Sequence, residues 1–231
     1  MNYAIIVAAG RGERMGAKVD KAFVSLGSRP VLAHSLTAFE KCADIDGAIL
    51  VVRRDRLDAA RAMADMFGCS KVRRIVPGGA RRQDSVQSGL DALPEEVRIV
   101  AVHDGARPCV TPDLISQTVK AAKRYGSGVA AVRINDTVKY VERGLTVTRT
   151  MDRSKLWAVQ TPQTFKLEVL REAFASLARH KATVTDEAAA VEKLGQKVRL
   201  VPSSVANMKI TTAEDLAVAT TLLNFSLNHA P

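Results

Sequence analysis

The chain has 231 residues, of which 47% are hydrophobic and 25% charged, enough to bury a full core as one α/β domain or two small ones. No apolar run approaches the roughly twenty residues of a membrane helix, Met1 to Val7 is too short for a signal peptide, and Cys42, Cys69 and Cys109 lie too far apart for a disulfide framework or a zinc site, which points to a reducing cytosol. The net charge of +10 calls for an anionic partner, but only 4% of residues are aromatic and no dense Lys/Arg tail occurs, so a platform for single-stranded nucleic acid is not expected and a small phosphorylated ligand is.

Tyr3-Ala4-Ile5-Ile6-Val7 is apolar without alternation, as in a strand buried on both faces of a parallel sheet. Ala8-Ala9-Gly10-Arg11-Gly12-Glu13-Arg14-Met15-Gly16 follows, then Lys18 and Lys21. Such a loop can turn tightly and bring backbone N–H groups against a ligand, because no Cβ intervenes. With Arg14, Lys18 and Lys21 beside it, a polyphosphate site is the expectation. A dinucleotide fingerprint would place the third glycine one residue earlier, and a P-loop would need Gly-Lys-Ser or Gly-Lys-Thr.

Pro30 opens a helix to about Cys42, and Gly47 to Val52 is the second strand. Arg56 to Phe67 reads as a helix stopped by Gly68, and Val72 to Val76 as a strand. Pro77-Gly78-Gly79 turns into a helix over Asp84 to Leu93, then Arg98 to Val102 is a strand that leaves through His103-Asp104-Gly105-Ala106-Arg107-Pro108. A helix from Thr111-Pro112 to Tyr125-Gly126 and a strand over Val129 to Val132 complete an alternation typical of a parallel sheet with helices on both faces. Ligands of such sheets bind beyond the carboxyl ends of the strands, where the loops after Val7, Val76 and Val102 all lie.

The alternation then breaks. Asp136 to Val141 and Leu145 to Thr148 alternate polar and apolar around Glu142-Arg143-Gly144, a hairpin signal. A lone hairpin is marginal in water, so it must pack on a second copy of the chain or on its own domain. Leu156 to Val159 reads as a strand and Leu167 to Ala178 as a helix. Thr185-Asp186-Glu187 heads a helix through Leu194 that Gly195 ends; Val198 to Val201 is a strand, Asn207 to Thr211 is extended, and Thr212 caps a final helix.

Asp104, on the rim with Arg107 three residues later, is the strongest metal candidate, since one carboxylate plus substrate phosphates is a usual way to hold Mg²⁺; a capped turn before the next helix is the alternative. Gly78-Gly79 and Ser85 can read a base edge or simply begin a helix. Arg153 and Lys209, taken singly, read as surface charges. His103 adjoins Asp104, but strand neighbours point to opposite faces, so it reads as packing. No Ser–His–Asp or Cys–His set is evident, which argues against a covalent nucleophile.

Read together and in order, these motifs resemble one family. The Ala8 to Gly16 loop with Lys21 is similar to the signature loop of nucleotidyltransferases that activate sugar phosphates. Gly78-Gly79 with Arg82 and Asp84-Ser85-Val86, the Asp104 loop, Asp136-Thr137, Asp152-Arg153, Thr161-Pro162-Gln163, Thr185-Asp186-Glu187-Ala188 and Asn207-Met208-Lys209-Ile210-Thr211 narrow the resemblance. The set resembles the 2-C-methyl-D-erythritol 4-phosphate cytidylyltransferases of the non-mevalonate isoprenoid pathway, over essentially the whole chain.

The resemblance implies a Rossmann-like single domain over 1–231, with a β-arm at about 135–155 through which a cytoplasmic homodimer forms. It implies Mg²⁺, CTP and the methylerythritol phosphate as ligands, with neither nucleic acid nor membrane as partner. Backbone at Ala8, Ala9, Gly10 and Gly12 would hold CTP, Gly79 and Ser85 would contact cytosine, and Arg14 and Lys21 would brace the triphosphate. Asp104 would bind the metal and Lys209 would help neutralise the α-phosphate. Arg107, Thr161, Thr185 and, from a partner's arm, Thr137 and Arg153 would hold the acceptor.

The chain departs from the family pattern at three places: Asp20 and Ala22 flank Lys21 where Pro and Gln are usual, Ala206 replaces an acidic residue, and Ala80 follows Gly79 without a polar side chain. A ribitol 5-phosphate cytidylyltransferase shares nearly all the motifs and is the nearest rival; a non-catalytic nucleotide- or nucleic-acid-binding protein is the rival from another class.

Overall fold

The computed structural model describes residues 1–10 and 20–228 of the chain. In chain order its strands are β1 (Asn2–Ala8), β2 (Ser25–Leu26), β3 (Arg29–Pro30), β4 (Gly47–Val52), β5 (Val72–Pro77), β6 (Ile99–Asp104), β7 (Ser127–Arg133), β8 (Lys139–Tyr140), β9 (Arg149–Thr150), β10 (Trp157–Lys166) and β11 (Leu200–Pro202). Its α-helices are α1 (Val31–Lys41), α2 (Leu57–Met66), α3 (Arg82–Asp91), α4 (Pro112–Tyr125), α5 (Leu167–Arg179), α6 (Glu187–Glu192) and α7 (Ala213–Asn228).

Seven strands form one sheet in the order β11-β7-β10-β6-β1-β4-β5. The apolar run at the start of the chain becomes its middle: β1 pairs in parallel with β4 on one side and β6 on the other. Side chains alternate across β1, so Ala4 and Ile6 pack under α1, α2 and α4, while Tyr3 and Ile5 pack under α3, α5 and α6. Every residue of β4 is buried, as the unbroken apolar run requires. The sheet is thus mostly parallel with helices on both faces, and the loops after β1, β5 and β6 leave from one edge.

Three local readings are corrected. The strand expected to stop at Val159 runs to Lys166 and lies antiparallel between β6 and β7. Its second half was hidden because Gln160, Thr161, Gln163 and Thr164 are polar yet buried; Thr164 Oγ1, for example, donates to Thr118 Oγ1 at 2.9 Å. The arm hairpin pairs Lys139 with Thr150 and Tyr140 with Arg149, so its second strand falls beyond Thr148. Thr148 instead closes the loop: its N–H donates to Tyr140 O at 2.9 Å and its hydroxyl accepts from Glu142 N–H at 3.3 Å. Helix α3 starts at Arg82, because Asp84 sits in its first turn and accepts the Arg81 N–H at 3.0 Å. The Asn207 to Thr211 stretch is tied to the site loop by Ile210 N–H donating to Ala106 O at 2.8 Å.

Candidate active site

Val7 and Asp104 are side by side in the register of β1 and β6. The chain leaves β1 toward β4 on one side and returns to β6 on the other, so a crevice must open between the two strand ends. A cleft of about 210 Å³ lies there, lined by the β1 loop (Ala8, Ala9, Gly10), Lys21, the β5 loop (Gly79, Arg82, Ser85), Asp104 and Lys209. Two glycines make its walls fit. A Cβ on Gly78 would fall 2.4 Å from Ala9 Cβ, and one on Gly105 would fall 2.8 Å from Leu32 Cδ1.

Asp104 is the electrostatic centre. Its Oδ1 accepts Arg82 Nε–H at 2.9 Å, its Oδ2 lies 2.7 Å from Lys209 Nζ, and Arg107 Nε is 4.0 Å away. Burial pushes the carboxyl pKa up, but Arg82, Lys209 and Arg107 together outweigh it and hold Asp104 far below the usual carboxylate range. Arg82 extends the network with its fork, donating to both oxygens of Glu187 at 2.6 and 3.0 Å. Burial pushes the Glu187 carboxyl up, and the bidentate guanidinium opposes it.

The Asp104 backbone is fixed as firmly. Its N–H donates to Thr161 Oγ1 at 3.0 Å, and that hydroxyl lies 3.1 Å from His103 Nδ1, with His103 Nε2 3.4 Å from Arg107 O. A neutral imidazole carrying its proton on Nε2 satisfies all three contacts. Burial drives the His103 pKa down to about 3, and its ring packs against Phe39 at 5.1 Å. His103 is a buried, packed residue, as its place on the strand predicts.

A fixed carboxylate ringed by cations, at the carboxyl edge of a mostly parallel sheet beside two glycine turns, suits transfer between phosphates. The sequence profile of the family described as "IspD: 2-C-methyl-D-erythritol 4-phosphate cytidylyltransferase" matches residues 2–225. The chain belongs to this family. It is 41% identical over 220 residues to the 2-C-methyl-D-erythritol 4-phosphate cytidylyltransferase of Alkaliphilus oremlandii, covering 95% of this chain and 93% of that protein. It is 44% identical over 217 residues to the protein of that name from Pelotomaculum thermopropionicum, covering 94% and 91%. Among solved structures, the 4-diphosphocytidyl-2C-methyl-D-erythritol synthase of Anaerococcus prevotii superposes with a TM-score of 0.85 at 30% identity, over 96% of each chain.

The residues expected from the family pattern divide into groups. Ala8, Ala9, Gly10, Lys21, Gly79, Ser85, Asp104 and Lys209 line the cleft. Arg14 and Gly12 lie outside the described residues. The Ser85 hydroxyl accepts Gly79 N–H at 3.2 Å and donates to Arg81 O at 3.2 Å, so it shapes the turn. Arg107 is buried beside Asp104 and donates to Asn207 O at 2.7 Å, while Asn207 Nδ2 donates to Gln160 Oε1 and Thr161 O at 3.0 and 2.9 Å. The Thr161 hydroxyl serves the Asp104 and His103 contacts from within the core. Thr185 is exposed ahead of α6. Thr137 and Arg153 are exposed at the base of the arm, away from the cleft lining, with Arg153 donating to Asn135 O.

Lys209 is no isolated surface charge in this family member, since it is paired to Asp104. Sequence reasoning placed Glu187 in a family motif but gave it no role in the site. An acid at the start of a helix reads as a dipole partner, and only its three following alanines hinted at a buried position. The departure at Asp20 also has a structural outcome. Asp20 is buried, with Arg56 Nε 3.4 Å from its carboxylate, and its carbonyl accepts Phe23 N–H at 2.9 Å to close the turn that carries Lys21.

Proposed function

We propose that the chain transfers CMP from CTP to 2-C-methyl-D-erythritol 4-phosphate, releasing pyrophosphate. The observation that carries this reading is Asp104, held ionised by Arg82, Lys209 and Arg107 in the cleft beyond β1. The acceptor is already a phosphate anion, so no strong base is required, and no histidine is among the described residues that line the cleft. An acceptor oxygen attacks the α-phosphorus in line as the bond to the β-phosphate oxygen breaks. What the protein must supply is positioning and cancellation of charge.

In this reading backbone N–H groups at Ala8, Ala9 and Gly10 cradle the triphosphate with Lys21 beside it; the resemblance adds Gly12 and Arg14, which lie outside the described residues. Gly79 and the turn shaped by Ser85 face the cytosine. Lys209 leaves Asp104 for the α-phosphate. Arg107 and Thr185 take the acceptor, with Thr161 holding the Asp104 strand end in place. The described residues include no group of three His, Cys, Asp or Glu side chains that could cage a metal. One ionised carboxylate at the cleft wall does fit Mg²⁺ bound chiefly by substrate phosphates. Bound there, the ion would offset charge on the triphosphate.

The chain is read as one catalytic domain with an arm at about 135–155. Tyr140, Val141, Leu145 and Val147 of the arm are exposed apolar residues, which supports a dimer in which Thr137 and Arg153 of the partner subunit complete the acceptor pocket. No described helix is long and apolar enough to cross a membrane; a cytoplasmic enzyme is the reading that agrees with the free cysteines.

The test is pyrophosphate release from CTP and Mg²⁺ with methylerythritol 4-phosphate and, in parallel, ribitol 5-phosphate. Release with the first alone is expected. Release with ribitol phosphate alone would reassign the acceptor, and release with neither from folded protein would overturn the reading.

A further inference from the structure

The buried network behind Asp104 has a geometry that simple charge balance does not require. Glu187 opens α6, is 1% exposed, and takes both terminal nitrogens of Arg82 at 2.6 and 3.0 Å. Its helix is itself pinned. Gln163 Nε2 donates to Asp186 Oδ2 at 3.0 Å, and Gln163 Oε1 accepts Ala188 N–H at 2.9 Å. With its fork committed to Glu187, Arg82 has only the Nε edge left, and that edge meets Asp104 Oδ1 at 2.9 Å. A buried ion pair of this kind is weak evidence for stability, because desolvation offsets much of the attraction. What it does supply is a fixed direction.

The two oxygens of Asp104 are therefore unequal. Oδ1 is covered by a guanidinium that cannot swing away without breaking two further bonds. Oδ2 is covered by Lys209, whose side chain is 34% exposed and whose one ion pair among the described residues is this 2.7 Å contact, with Arg107 Nε farther off at 4.0 Å. We propose that Arg82, held by Glu187, is a positioning residue that fixes Asp104 Oδ1 and leaves Oδ2 as the one oxygen Lys209 can yield to a divalent cation arriving with CTP. This rests on the functional reading above. Without the Glu187 charge, the Arg82 fork is free to turn onto both Asp104 oxygens and close them to the cation.

The experiment measures the Kd of CTP by calorimetry, with no acceptor present, in EDTA and in Mg²⁺. The ratio of the two constants is the gain due to metal. In Glu187→Gln that gain is expected to fall ~tenfold, the lower end of what loss of a partner behind a metal ligand costs. The Kd in EDTA should stay level or tighten. A role in folding alone would weaken both constants together with the folded fraction, and would leave the ratio unmoved. Arg82→Lys keeps the charge beside Glu187 but cannot reach both carboxylates, so it carries the same test if Glu187→Gln does not fold. An unmoved ratio in a wild-type-like fold overturns the inference while wild-type turnover preserves the functional reading; a wild type that neither binds nor turns over CTP overturns both.

Discussion

Lys209 Nζ lies 2.7 Å from Asp104 Oδ2, so the cation proposed for the α-phosphate is paired with the carboxylate proposed for the metal. The pairing predicts a split phenotype for Asp104→Asn. Without that carboxylate, Lys209 and Arg107 lose their acidic partner while Arg82 keeps Glu187, so the cleft gains net positive charge. Metal-free CTP should bind at least as tightly as to wild type, while kcat/KM in Mg²⁺ falls by at least ~100-fold. Calorimetry in EDTA beside pyrophosphate-release kinetics reads both. Equal loss of binding and turnover would remove Asp104 from this role.

Lys21 sits in a turn anchored at both ends. Asp20 O accepts Phe23 N–H and Ala22 O accepts Leu32 N–H, each at 2.9 Å, so the side chain is carried on a firm base at the cleft wall. Lys21→Ala should lower kcat/KM by at least ~100-fold, roughly 2.7 kcal/mol of transition-state stabilisation. A loss below tenfold with either substrate would show that the triphosphate is braced elsewhere.

His103 makes folding sensitive to acid. Burial lowers its pKa to about 3, with the Asp104 carboxylate pulling the other way. An unfolded histidine titrates near ~6.5. Between these values the unfolded chain binds the extra proton, so the stability due to a neutral His103 is present above pH ~6.5 and is lost as pH falls toward 3. The limiting slope is about 1.4 kcal/mol per pH unit. Urea unfolding at several pH values should show this slope in wild type and its reduction in His103→Gln, whatever that variant's stability at neutral pH. Parallel curves would mean that His103 is protonated in the folded chain.

The parallel half of the fold was legible because its signals are local. The unbroken apolar runs of β1 and β4 and the proline at the head of α1 announce themselves residue by residue. The second half of β10 was not, because Gln160, Thr161 and Gln163 look like a loop until their partners on other elements are known. The site divided in the same way. Asp104 could be placed at a strand end from its own neighbourhood, whereas the Lys209 and Glu187 contacts join segments far apart in sequence. Only the resemblance pointed to Lys209, and although it included Glu187 in a motif, nothing pointed to the pairing of Glu187 with Arg82. Asp20 shows a further limit: a departure from the family pattern can be read, but its burial against Arg56 cannot.

The arm carries the last prediction. Arg153 is exposed, contacts Asn135 O within the arm, and is absent from the lining of its own chain's cleft. In the proposed dimer it would serve catalysis in the other subunit's site. Arg153→Ala and Asp104→Asn chains, each inactive alone, should then recover activity when mixed. Random exchange makes about half of the dimers mixed, and each mixed dimer holds one intact site of two, so recovery should approach ~25% of wild type. Recovery requires subunit exchange, which mass spectrometry of differently tagged chains can verify. No recovery after verified exchange would place Arg153 and Asp104 in the same chain's site, or remove Arg153 from catalysis.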